Sequence, residues 1–204
     1  MIKTNKGLDL PISGSPSMDL DSSTAINSVA ILGADYVGLK PTMMVDEGDS
    51  VQSGQKLFEN KKNPGTFVTS HVSGVVTSIN RGEKRRFISL VIEEDSSIDP
   101  IKFNFENYND HIDFLVDTGA LSYFRTRPYN RMPVPSVLPS AIFINACDTN
   151  PLSVDPYALM ELDEDQDLFN VGLTFIASID PRIRVFCSYQ NKNFDQSVTG
   201  ITYT

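Results

Sequence analysis

Along the first half of the chain, short apolar runs alternate with polar turns marked by glycine. Residues 28–32, 42–45, 55–59, 66–70, 74–80 and 87–93 have the length and the Val, Ile, Leu and Phe content of strands. Between them stand Gly33, Gly38, Glu47-Gly48-Asp49, Ser53-Gly54, Asn63-Pro64-Gly65, Ser73-Gly74 and Arg81-Gly82, all turn formers. Many short strands with this punctuation predict a small barrel or sandwich. Nine of the 12 glycines precede residue 83, and that shift in composition predicts a domain boundary near residue 103.

From residue 104 the pattern changes to helical and mixed. Asn109 or Asp110 is placed to cap a helix over 109–117 that buries Ile112, Leu115 and Val116 and stops at Gly119. Pro128, Pro133, Pro135 and Pro139 then predict an extended or irregular passage. Residues 141–147 form a nearly continuous apolar run, which predicts a strand covered on both faces. Leu168, Val171, Phe175, Ile176 and Ile179 form a helical stripe, and residues 182–187 read as the next strand. Strand, helix, strand is a βαβ unit. With two assignable strands and a polar 190–204 segment, this α/β domain reads as incomplete. Its open edges imply either a truncated chain, the favoured expectation, or a partner that completes the sheet.

Composition narrows the function classes. The chain has 204 residues, Asp+Glu 26 against Lys+Arg 17, a net charge of −9 and 40% hydrophobic residues. That size is enough for one or two folded domains. The acidic balance argues against nucleic acid as a partner, because a phosphate-tracking surface needs clustered Lys and Arg. Cys147 and Cys187 are too few for a four-cysteine zinc or iron–sulfur site, and His71 and His111 are too few for a His-rich metal centre. The first residues contain no signal-peptide apolar run, and nowhere do about 18 apolar residues follow one another as a membrane-spanning helix requires. A cytoplasmic protein with both cysteines reduced and packed in the core is therefore expected.

Some positions invite a chemical reading. Gly48, Gly54, Gly65 and Gly74 mark the turns of a pattern, Val45 to Glu59 followed by His71 to Val76, that resembles lipoyl and biotinyl carrier domains. Lys62 follows Glu59 at the distance of a carrier's modified lysine. Its neighbours, Lys61 and Asn63-Pro64-Gly65, lack the adjoining acidic residue, so a plain turn with solvated lysines is preferred. Arg125, Arg127 and Arg131, close to Tyr123, Phe124 and Tyr129, are candidates to grip a partner or an anion. Arg81, Lys84, Arg85 and Arg86 form a basic hairpin tip, with anionic lipid as the functional alternative to a solvated turn. Glu161, Asp163, Glu164, Asp165 and Asp167 read as a helix-capping segment, because the central glycine of a calcium loop is missing. Asp148 stands where α/β sites often lie, but it reads better as the cap of the Asn150-Pro151 turn. No nucleophile elbow or hydrolase motif is present.

Longer blocks carry a more specific resemblance. These are Lys6-Gly7-Leu8-Asp9-Leu10-Pro11-Ile12, Asp35 to Met43, Gly48 to Gly65, Ile79-Asn80-Arg81-Gly82, Arg125-Thr126-Arg127-Pro128 and Asp148-Thr149-Asn150-Pro151-Leu152. Together they resemble the A subunit of the sodium-translocating NADH:quinone oxidoreductases, over residues 1 to about 180. The resemblance implies an α+β chain: a barrel-sandwich hybrid domain over 1–103, then the start of a Rossmann-like α/β domain over 104–204. It implies a peripheral, cofactor-free subunit on the cytoplasmic face of the bacterial inner membrane, held to the membrane through partner subunits only. The resemblance further implies a complex that uses NADH, flavins, an iron–sulfur centre and ubiquinone. The A subunit would contribute assembly and, as the family is implicated in ubiquinone binding, quinone contacts. The isolated chain is expected to be inactive. The alternative is a free-standing barrel-sandwich carrier or adaptor. The resemblance also implies a fold similar to that of the flavin-carrying, NADH-binding subunit of respiratory complex I, where a nucleotide site needs clustered glycines around phosphate, whereas this chain has none between Gly119 and Gly172 and runs Cys147-Asp148-Thr149-Asn150-Pro151 after its first α/β strand. A dinucleotide site is accordingly not expected.

Overall fold

The computed structural model describes residues 12–19, 23–162 and 166–204. These fall into two compact units, one over residues 23–138 and the other formed by Pro139–Thr204 with residues of the N-terminal segment.

In the first unit, strands β1 (Ser28–Leu32), β3 (Ser50–Val51), β6 (Gly74–Arg81) and β7 (Phe87–Glu94) make an antiparallel sheet in the order β1-β7-β6-β3. Strands β2 (Pro41–Met43), β4 (Lys56–Asn60) and β5 (Phe67–Thr69) make a second sheet, β2-β4-β5. All six anticipated strands are present, each within two residues of its expected ends. Between the sheets lies one core containing Ile31, Val51, Leu57, Phe58, Val76, Leu90 and Ile92, each at most 2% exposed. A bulge in β7 sets which side chains enter it. Arg81 pairs with Phe87 while Asn80 pairs with Ser89, so Ile88 is extra, turns outward and is 44% exposed, and Phe87 is buried.

The glycines act in two ways. Gly48 (φ +94) and Gly54 (φ +88) hold left-handed turn conformations that a side chain would strain. Gly74 has a different reason: a Cβ there would lie 1.9 Å from the Glu93 carbonyl oxygen on the neighbouring strand.

The segment after residue 103 joins this first unit, although its composition belongs with the second half. Helix α1 (His111–Asp117) is capped by Asp110, whose Oδ1 accepts from Asp113 N at 2.9 Å, and its Leu115 is buried. Lys56 Nζ on β4 contacts Asp117 Oδ1 at 2.5 Å. Met132, within the proline-rich passage, is 4% exposed and part of the barrel core. The contact boundary therefore falls later in the chain than the composition shift.

In the second unit, β8 (Ala141–Ala146), β9 (Arg184–Tyr189) and β10 (Ile201–Tyr203) form a parallel sheet ordered β10-β9-β8. The third strand corrects the two-strand expectation. Segment 190–204 is polar overall, but Ile201 and Tyr203 alternate with Thr202 and pack their half-buried side chains against the core. Helices α2 (Pro156–Leu162) and α3 (Gln166–Ser178) belong to the same unit, and Tyr157, Met160 and Phe169 pack with Ala146, Cys187 and Phe194.

Two further expectations are revised here. The 141–147 run is not covered on both faces within the described residues. Phe143 is 75% exposed and stacks on Phe186, centroids 5.1 Å apart, because the buried positions of β8 and β9 share only the opposite face. The α3 stripe is also rotated: Leu168 and Val171 are exposed, and Leu173 is the buried residue at 2%. Strand β9 starts two residues later than expected, because residues 180–183 form a turn in which Ile183 N donates to Asp180 O at 3.0 Å. Of the acidic segment, Asp167 lies in the first turn of α3; Asp163, Glu164 and Asp165 and the Glu161 side chain lie outside the described residues.

Candidate functional site

The three arginines of segment 125–131 have different surroundings. The Arg125 guanidinium donates to the carbonyl oxygens of Ser122, Phe124 (2.9 Å) and Asp35 (3.3 Å), and it lies over the Tyr36 ring at 5.3 Å. It ties the segment to the barrel wall. Burial, together with Tyr123, pushes the Tyr36 phenol above its ordinary range, against the opposing effect of Arg125. Arg127 and Arg131 are exposed. Arg131 is fixed through its backbone: its carbonyl oxygen accepts from Thr126 N at 2.7 Å and Thr126 Oγ1 at 3.1 Å. Its guanidinium lies 5.9 Å from the Tyr129 ring centre.

Arg131 meets a residue that has no sequence proximity to it. Lys62, at the β4–β5 tip, lines one depression with Arg131, Asn60, Asn63, Gly38, Val37 and Met132. The tip is held by its own polar groups. Asn60, only 5% exposed, accepts at Oδ1 from Lys40 N (3.3 Å) and Lys62 N (3.2 Å). Asn63 Nδ2 donates to Met132 O at 3.3 Å, and Glu59 Oε1 accepts from Gly65 N (φ +82) at 2.8 Å. Lys62 thus sits in a braced turn rather than on a free swinging arm. Sequence reasoning weighed Lys62 and Arg131 separately and missed Asn60, whose only signal was an asparagine ending a strand before a turn.

At the basic tip, Lys84 (φ 55) and Arg85 (φ 59) are consecutive left-handed residues, and Arg81, Lys84, Arg85 and Arg86 are all exposed. At the end of β8, Asp148 Oδ1 accepts from Asn150 N (2.9 Å) and Asn150 Nδ2 (2.7 Å), and Ser153 Oγ donates to Asp148 O. This is a capped turn, with α2 beginning at Pro156. A carboxylate stands where a dinucleotide fold presents glycine N–H groups to phosphate, so the residues present do not fit such a cofactor.

The sulfur and ring groups are structural in their contacts. Cys187 is buried, and burial pushes its thiol up; Cys147 is half-buried, with Sγ donating to Asn145 Oδ1 at 2.9 Å. His71 lies beside Tyr123 and His111 beside Phe105. Among the described residues, no group of three His, Cys, Asp or Glu side chains is placed to hold a metal ion. No helix among them is long and apolar enough to cross a membrane.

Two curled sheets around one core, followed by a parallel sheet with helices, define a chain that joins a barrel-sandwich hybrid to an α/β domain. Family models match both parts in order: the NqrA N-terminal barrel-sandwich hybrid domain over residues 2–95 and the NqrA second alpha/beta domain over residues 109–204. The chain is 44% identical over 211 aligned residues to the A subunit of the Na(+)-translocating NADH-quinone reductase of Yersinia pseudotuberculosis serotype O:1b (strain IP 31758), covering 100% of this chain and 47% of the relative. It is 45% identical over 188 residues to the protein of the same name from Haemophilus influenzae (strain PittGG), covering 89% of this chain and 42% of the relative. The chain belongs to the NqrA family, and it spans about half the length of these relatives.

Proposed function

We propose that this chain works within a sodium-translocating NADH:quinone reductase as part of its A subunit, a peripheral component without an electron carrier of its own. The observation that carries the reading is the 44% identity across the whole chain to a protein named as that component, with both domain models matched in order. In this role the chain contributes assembly and quinone contacts on the cytoplasmic face of the membrane, and its partners are the other subunits. NADH oxidation, ubiquinone reduction and sodium export belong to the complex. The capped turn at Asp148 supports a component that carries no dinucleotide, and the isolated chain is expected to be catalytically silent. Arg127 and Arg131 are exposed for contact with a partner or an anion, whereas backbone carbonyls occupy Arg125.

The test is a pull-down of the tagged chain from native membranes in mild detergent. Co-recovery of flavin-bearing membrane proteins with NADH:quinone reductase activity supports the reading. A chain recovered alone overturns the assembly role for this length of chain. An intact mass above that of the bare sequence would instead favour the carrier alternative.

A further inference from the structure

We propose that the depression between the β4–β5 tip and Arg131 is a binding site for a phosphate group. Its lining includes the donor-bearing residues Lys62, Arg131 and Asn60 and no carboxylate. Asn60 gives the site its direction. The residue is 5% exposed, and its Oδ1 is committed to two backbone N–H groups, Lys40 N and Lys62 N. That commitment fixes which way the amide points and turns Nδ2 away from those two amides. Nδ2 makes no hydrogen bond among the described residues, and Asn60 lines the depression. Asn63 differs, because its Nδ2 is taken by Met132 O.

Charge selects the ligand class. Two formal positive charges line the site, and neither Lys62 nor Arg131 has a carboxylate within ion-pair distance among the described residues. The nearest tip carboxylate, Glu59, is turned to Gly65 N. A doubly charged phosphate balances that pair of cations, whereas a carboxylate leaves one uncompensated; Arg and Lys donors to phosphate also make strong charge-assisted bonds. The chain carries a net charge of −9, so diffuse attraction does not gather anions here and local geometry has to. The inference is independent of membership in the reductase complex.

The experiment is a titration of the isotope-labelled chain with inorganic phosphate, following the Asn60 side-chain amide and the Gly38 backbone amide by NMR, with glycerol phosphate and acetate in parallel. A saturable shift of the Asn60 Nδ2 protons is expected. Lys62→Gln and Arg131→Gln should each weaken binding by about fivefold or more, as loss of a charge-assisted hydrogen bond does. Lys84→Gln, on a different hairpin, should leave it unchanged. Both site cations are exposed, so the unchanged remainder of the spectrum verifies folding of each variant. Tighter binding of glycerol phosphate assigns the site to a phosphate-bearing molecule; equal binding assigns it to the free ion. Absence of a saturable shift, an equal response to acetate, or retention of binding in the Lys62→Gln/Arg131→Gln double variant overturns the proposal.

Discussion

Lys56 Nζ lies 2.5 Å from Asp117 Oδ1, joining strand β4 to the last turn of α1 across 61 residues of sequence. Tyr108 OH donates to the other carboxylate oxygen at 2.7 Å. One carboxylate thus pins both ends of the 108–117 segment to the barrel. Lys56, and secondly Tyr108, hold the Asp117 carboxyl below its usual range. A lowered folded-state value means that the contribution is present above the unfolded value of about 4 and is lost as pH falls through the folded one. Because Lys56 and Asp117 are 27% and 46% exposed, the contribution is screened. Asp117→Asn should cost no more than about 1 kcal/mol at neutral pH. Urea denaturation of both proteins should show that difference shrinking as pH drops below about 4, and a difference that persists unchanged in acid would refute the linkage.

Gly74 and Gly48 should respond differently to alanine. At Gly74 the new Cβ meets the Glu93 backbone at 1.9 Å, and neither strand can yield without breaking the β6–β7 ladder. Gly74→Ala should cost roughly 3 kcal/mol or more, as overpacking at its upper end does. At Gly48 an added Cβ would meet no atom within 4 Å beyond its chain neighbours, and only the left-handed backbone (φ +94) objects. Gly48→Ala should cost about 1 kcal/mol. Equal midpoint shifts for the two variants in thermal melts would contradict the distinction between close approach and backbone strain.

Helix α3 offers a second contrast. Leu173→Ala removes a side chain that is 2% exposed and should destabilise by about 2–4 kcal/mol. Leu168→Ala, at a position 69% exposed, should stay within about 0.5 kcal/mol. Chemical denaturation resolves both, and the reverse ranking would restore the helical face read from periodicity.

The two thiols should separate under alkylation in mildly alkaline buffer in the native state. Cys147 is half-buried at the end of β8 and should react first. Cys187, buried and with its thiol raised by that burial, should be protected until the α/β unit opens. Peptide mapping after a timed iodoacetamide pulse reads the order; faster labelling of Cys187 would place it outside the core.

Local pattern determined much of this protein. The barrel strands and their turns were legible because alternation and glycine act over a few residues, as did the Asp110 cap and the Asp148 turn. The long blocks around Gly48–Gly65 carried the family resemblance without any coordinates. What needed the fold is non-local. Ile201–Tyr203 is too short to declare itself a strand, and it becomes one only because β9 offers a free edge. Leu173 rather than Leu168 is buried because packing on the sheet, not the strength of a stripe, decides which face of a helix turns inward. Helix α1 and Met132 fall in the first compact unit although composition groups them with the second half, since their contacts are made with residues far earlier in the chain. Most of all, Asn60, Lys62 and Arg131 meet only after the chain closes a loop of about 70 residues. Sequence spacing does not encode such closures; the tertiary structure supplies them by burying β4 and β5 at one end and Met132, beside Arg131, at the other.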